Sequence, residues 1–147
     1  MSDLYDSDFY AWANAQTALL RAGKLVAADI AHIAEEIESM GRGEKRELTS
    51  RLAVLLTHLL RWQVQPERRG RSWLLTIREQ RGEVADVLAD NPSLRTRLDD
   101  ILADAFCKAL LAGQRETGLP RSAFPAICPW TFDQAIQEEI GEPNDLG

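Results

Sequence analysis

Cysteine is nearly missing from this chain. Only Cys107 and Cys128 occur among 147 residues, with neither a CxxC nor a zinc-ligand spacing. That excludes a disulfide-framed scaffold and a zinc finger, and the two read as reduced thiols of a cytoplasmic protein. Long apolar runs are missing too. The strongest, Leu52 to Leu60, is bounded by Arg51 and Arg61 and interrupted by Thr57 and His58. It is far shorter than the ~20 residues of a membrane helix. The first ten residues, MSDLYDSDFY, are acidic and contain no apolar h-region, so no secretory signal is expected. No GxSxG, HExxH or ExxH pattern occurs, and GRGEKRE at 41–47 lacks the spacing of a phosphate loop. Runs of β-branched residues are absent, which argues against a sheet protein.

Alanine, leucine, arginine and glutamate are abundant instead. With 45% hydrophobic and 27% charged residues the chain is globular, and its length suits one domain with a real core. The net charge of −6 is unevenly placed. Residues 1–40 carry two basic and seven acidic side chains, residues 41–81 ten and four, and residues 82–147 five and twelve. Such segregation is expected when basic and acidic helices neutralise one another. Overall acidity argues against a nucleic-acid partner.

Hydrophobic periodicity predicts an all-α, single-domain bundle of about five helices. The first spans Asp8 to Ala22, with Phe9, Trp12, Gln16 and Leu19 at helical spacing. Asp6, Ser7 and Asp8 are N-cap candidates, and Gly23 is the C-cap. The second runs from Val26 to Met40, its Val26, Ile30, Ile33, Ile37 and Met40 forming a seam expected to be buried. Gly41 and Gly43 are expected to end it and turn the chain into an antiparallel hairpin. The third, Glu44 to Val64, carries the seam Leu48, Leu52, Leu55, Leu59 and Trp62 and should be central. Pro66 stops it. A fourth follows from Trp73 to Ala89 with Ser72 as cap, and it places polar Gln80 and Arg81 at core phase. Asn91 and Pro92 open a fifth helix that ends near Glu116 before Gly118. Three prolines between Leu119 and Trp130 predict an extended strap. Thr131 to Gln134 is a capping-box pattern for a short last helix to about Glu139, and residues 141–147 are expected to fray.

The sharpest candidate chemistry sits in the hairpin. Asp29, His32 and Glu36 fall on one flank of the second helix. With a turn near residue 42, Asp29 and His58 lie about 20 Å and about 24 Å along the two arms, at 1.5 Å per residue. An Asp29–His58 hydrogen bond is expected, with His32 close by. The ambitious version is a divalent-metal site, for zinc, iron or manganese, formed by Asp29, His32, Glu36 and His58. A hydrolase-like reaction near Asp29, Glu36 and His58 would follow. The plain version has no cofactor, only two polar groups satisfying each other. The buried polar cluster would then comprise Asp29, Glu36, His58, Gln80 and Arg81. A basic segment, Arg68, Arg69, Arg71, Arg78 and Arg81 with Trp73 beside it, is the nucleic-acid alternative. The leading functional expectation is a binding or interaction module, with a second copy or another protein as partner.

An ordered set of short motifs adds a resemblance. It comprises DFYAW at 8–12, Leu20-Arg21, Asp29, EEIESMG at 35–41, HLLRWQVQP at 58–66 and SWLLTIREQR at 72–81. NPSL at 91–94, GLP at 118–120, FP at 124–125 and CPW at 128–130 complete it. Nearly the whole chain resembles the bacterial domain of unknown function 29 family. The family pattern is matched here at Asp29, Glu35, Glu36, His58, Trp62, Ser72, Trp73, Ile77 and Arg81. The resemblance implies an all-helical, single-domain, cytoplasmic protein with no assigned biochemical role.

Overall fold

The structure is a computed structural model that describes residues 3–144. It is all-α, with no strand among the described residues. Six α-helices follow in order: α1 (Asp3–Ser7), α2 (Phe9–Arg21), α3 (Ile30–Val64), α4 (Arg71–Asp90), α5 (Leu98–Thr117) and α6 (Phe132–Gln137). Single 3₁₀ segments occupy Pro66–Arg68, Pro92–Arg97 and Arg121–Ala123. Among the described residues no helix is long and apolar enough to cross a membrane. The chain divides into two compact units, residues 1–43 and 44–147, and α3 contributes to both.

The largest departure from expectation is at Gly41 and Gly43. The hairpin is absent, because α3 runs through Gly41, Arg42 and Gly43 without a turn. Neither glycine takes a positive φ. A glycine inside a helix costs about 0.5–1 kcal/mol relative to alanine, which two glycines flanked by long helical sequence can bear. Residues 44–47, Glu-Lys-Arg-Glu, are all good helix formers and carry the helix on from the glycines to Leu48.

In the first unit, Asp8 caps α2 by accepting from the Ala11 N–H at 3.1 Å. Ala22 and Gly23 close α2. Gly23 adopts φ +72°, and its N–H bonds the Leu20 carbonyl while that of Lys24 bonds Leu19, the paired pattern of a Schellman ending. The predicted second helix starts four residues late, because Leu25 to Ala28 form turns. Trp12 is the one buried hydrophobic side chain among this unit's described residues. The expected seam is not a core. Ile30, Ile37 and Met40 are 53%, 63% and 71% exposed, and Val26 is fully open. The hairpin arm that should have covered them does not form.

The second unit holds the core. Leu48, Leu52, Leu55, Leu56 and Leu60 of α3 have no exposure, and they pack with Ile77, Val84 and Leu88 of α4 and Ile101, Ala105, Phe106 and Ala109 of α5. Phe124 from the strap closes over Gly113, whose missing Cβ would lie 3.0 Å from the Phe124 ring. Two caps differ from expectation. Helix α4 starts at Arg71 behind Gly70, so Ser72 is inside the helix rather than its cap. Asn91 and Pro92 open a 3₁₀ segment instead of α5; the Asn91 side chain makes no cap bond, and its amide donates to the Glu44 carboxylate and the Val87 carbonyl, each at 3.0 Å. The capping box of α6 forms as read: Gln134 N–H to Thr131 Oγ1 at 3.1 Å and Thr131 N–H to Gln134 Oε1 at 2.9 Å.

The glycines separate one helix from a hairpin experimentally. A Cβ at Gly41 or Gly43 meets no atom within 4 Å. We expect Gly41→Ala and Gly43→Ala each to stabilise the protein by about 0.5–1 kcal/mol in urea melts and to raise its helical circular dichroism. Destabilisation by either would require a turn there.

Candidate functional site

Residue Asp29 stands immediately before α3 and organises the first unit. Its Oδ1 accepts from the His32 N–H at 3.4 Å, the geometry of an N-cap. Its Oδ2 accepts from Trp12 Nε1–H at 3.1 Å and lies 2.7 Å from His32 Nδ1. A carboxylate can only accept, so Nδ1 carries the proton. The Asp29 N–H in turn donates to Gln16 Oε1 at 2.7 Å. Helices α2 and α3 are thus tied at one carboxylate.

Aromatic groups enclose that node. The Tyr5 ring stacks on His32 with centroids 3.9 Å apart and planes at 16°, and it meets the Trp12 ring edge-on at 4.7 Å. The Tyr5 hydroxyl donates to Glu36 Oε2 at 2.6 Å. This bond holds the phenol's pKa up, to about 12, with burial and the charges of Glu36, Glu35 and Asp6 adding to it. The His32 hydrogen bond lowers the Asp29 pKa, and the same bond raises that of His32. At neutral pH the phenol is therefore a donor and Asp29 a carboxylate. Asp29 fixes His32 as the Nδ1–H tautomer when neutral, leaving Nε2 as the ring's acceptor.

The structure brings Asp29 and His32 together and gives Glu36 to Tyr5. It does not bring His58 to Asp29. His58 belongs to the second unit, where Nδ1 bonds the Val54 carbonyl of its own helix at 3.0 Å. The expected Asp29–His58 bond fails because it needed the hairpin. Among the described residues no group of three or more His, Cys, Asp or Glu side chains is placed to hold a metal ion. Periodicity marks Trp12 and Gln16 as the stripe of the first helix but does not place them beside Asp29, and it does not mark Tyr5. The available signal was that a tryptophan at core phase needs an acceptor for its N–H, and the flank carrying Asp29 and Glu36 offers one.

The remaining candidates lie in the second unit. Gln80 is buried with Oε1 unpartnered among the described residues. Arg81 donates to the carbonyls of Ala135 at 2.9 Å and Glu138 at 2.7 Å, and burial lowers its pKa. Arg69 donates to the Trp62 carbonyl and lies over the Trp62 ring at 5.5 Å. Arg68, Arg71 and Arg78 are exposed. Among the described residues none of these five forms an ion pair, and the two that are anchored bind main-chain oxygens. The ion pairs fall instead on Arg51, with Glu47 and Glu83, and on Arg61, with Glu116.

The Asp29–His32 pair has a definite pH signature. The folded pKa of His32 lies above its ordinary 6.5, so its contribution to stability is complete below pH 6.5 and is lost as pH rises through the raised value. That of Asp29 lies below 3.8, so its contribution is present above pH 3.8 and is lost as pH falls through the lowered value. We expect the His32 ring proton to titrate above 6.5 by NMR, and Asp29→Asn to return it to about 6.5. A midpoint unmoved by Asp29→Asn would place the cause elsewhere.

No curated protein and no solved structure matches this chain. The family model described as "Domain of unknown function DUF29" matches residues 4–140, nearly the whole chain and both units. With all-α architecture and no activity assigned to the family, the chain belongs to the DUF29 family.

Proposed function

We propose that this protein is an interaction module whose first unit docks a protein partner through the apolar face of α3. One observation carries the reading. The 3-4-3 seam of Ile30, Ile33, Ile37 and Met40, a pattern that normally lines a core, is largely open to solvent. At 100° per residue Ile30, Ile33, Ala34, Ile37, Met40 and Gly41 fall within an arc of about 120°, the width of a core-facing stripe. No charged residue from 30 to 41 falls in that arc. Asp29 and Glu36 border it, and both are held by Trp12, His32 and Tyr5. The polar node thus serves to present the stripe on a helix whose start is fixed. Contiguous exposed apolar patches mark interaction sites. Both cysteines are free thiols, which suits a cytoplasmic setting.

The test compares tagged full-length chains recovered from the native host. Ile37→Glu with Met40→Glu should lose at least about 90% of whatever protein co-purifies, whether another protein or an untagged copy. Leu111→Glu, a change at a comparably exposed apolar site on α5, should keep it. Identical recovery by all three chains would overturn the reading.

A further inference from the structure

We infer that the occupant of this stripe is the same stripe on a second copy, paired antiparallel about a two-fold axis. The inference rests on the interaction reading above and names its partner. Three observations lead to it.

First, the spacing is self-matching. The intervals between Ile30, Ile33, Ile37 and Met40 are three, four and three, and they read the same in both directions. An antiparallel pair centred at the level of residue 35 sets Ile30 against Met40 of the partner copy and Ile33 against its Ile37. A two-fold interface requires this kind of self-complementary patch. Ala34 and Gly41 lie within the arc and let the two helices approach closely.

Second, the first unit is short of buried surface. It spans 43 residues, and Trp12 is its one buried hydrophobic among those described. Units near 40 residues usually need staples, metals or oligomerisation. No disulfide is present. Pairing would surround two α2–α3 units with apolar contact on the side each leaves open.

Third, the available area fits a reversible dimer. Ile30, Ile37 and Met40 are all more than half exposed, and Ile33 is partly so. At roughly 60–120 Å² of apolar surface each, the four offer on the order of 240–480 Å² per copy. The total is at or below ~1,200 Å², the range of weak and transient complexes. The expected dissociation constant is therefore in the micromolar range. Charge sets its salt dependence. The seam carries no charge, while residues 1–40 hold two basic and seven acidic side chains. Two such units repel, and salt screens the repulsion.

The experiment uses the purified full-length protein. Sedimentation equilibrium from about 1 to about 500 µM should show a monomer–dimer equilibrium that tightens from 0.05 M to 0.5 M NaCl. Ile37→Glu should weaken it about 100-fold, since the substitution enters the interface twice, with helical circular dichroism unchanged. Geometry is read independently in a Cys107→Ser, Cys128→Ser background. Ile30→Cys chains mixed with Met40→Cys chains should oxidise to a cross-linked pair, while neither alone should do so. Cross-linking by Ile30→Cys alone would mean a parallel pairing and overturn the inference. So would a dimer that weakens with salt, which places opposite charges at the contact. A chain monomeric at about 500 µM, yet losing a different co-purified protein on Ile37→Glu, would overturn the second copy as occupant and leave the interaction reading standing. A monomer whose associations ignore Ile37→Glu and Met40→Glu would remove both.

Discussion

A single carboxylate, Asp29, sets the structure of the first unit. Its two oxygens receive a backbone N–H at the start of α3, an indole N–H from α2 and an imidazole N–H one turn along α3. Among the described residues the unit's buried hydrophobic content reduces to Trp12, and the other contacts gather round the same node, Gln16 on the Asp29 N–H and Tyr5 on His32, Trp12 and Glu36. The order of cause is unusual for a helical protein. Most helix pairs are held by an apolar stripe and trimmed by polar contacts. Here a polar node holds the pair and the apolar stripe is left over.

The second unit has the ordinary balance. Five leucines of α3 without exposure form its axis, and α4, α5 and the strap close around them. Burying each such side chain is worth about 1.5–3 kcal/mol, so this unit needs no special chemistry to persist. The two units also differ in what a substitution would damage. In the second, loss of a leucine leaves a cavity; in the first, loss of Asp29 releases three donors at once.

Much of this was legible in the sequence. The helical class, the leucine axis, the stop at Pro66, the left-handed glycines 23 and 118 and the capping box at Thr131 all follow from local chemistry that tertiary structure does not override. The hairpin at Gly41 and Gly43 was misread because a glycine pair lowers helix propensity without forbidding the helix. That one error carried the site with it. It moved His58 next to Asp29, made His32 peripheral and hid the seam of α3 in a core that does not form. Asp29 and His32 meet while Glu36 goes to Tyr5; the partners from α1 and α2 are not legible, because contacts 17 to 31 residues away leave no periodic trace. Asn91 shows the same limit on a smaller scale. Its N-cap signal is strong, yet its side chain makes no cap bond and its amide donates to a glutamate 47 residues upstream.

The C-terminal segment is fastened in a way that bears on how freely its sequence can drift. Trp62 Nε1 donates to the Ile140 carbonyl at 2.7 Å, Arg81 to those of Ala135 and Glu138, and the Asn144 N–H bonds the Arg69 carbonyl at 2.7 Å. In the first three bonds the segment supplies a main-chain oxygen, and in the fourth a main-chain N–H, which proline at 144 would remove. For the first three bonds the identity that matters is the donor's, Trp62 or Arg81. These bonds place no demand on the exposed side chains at 137–139, whereas Ala135, Ile136 and Ile140 are tied by packing on the core as well; a change of Trp62 would remove the bond to 140, and a change of Arg81 those to 135 and 138, whatever residues stand there.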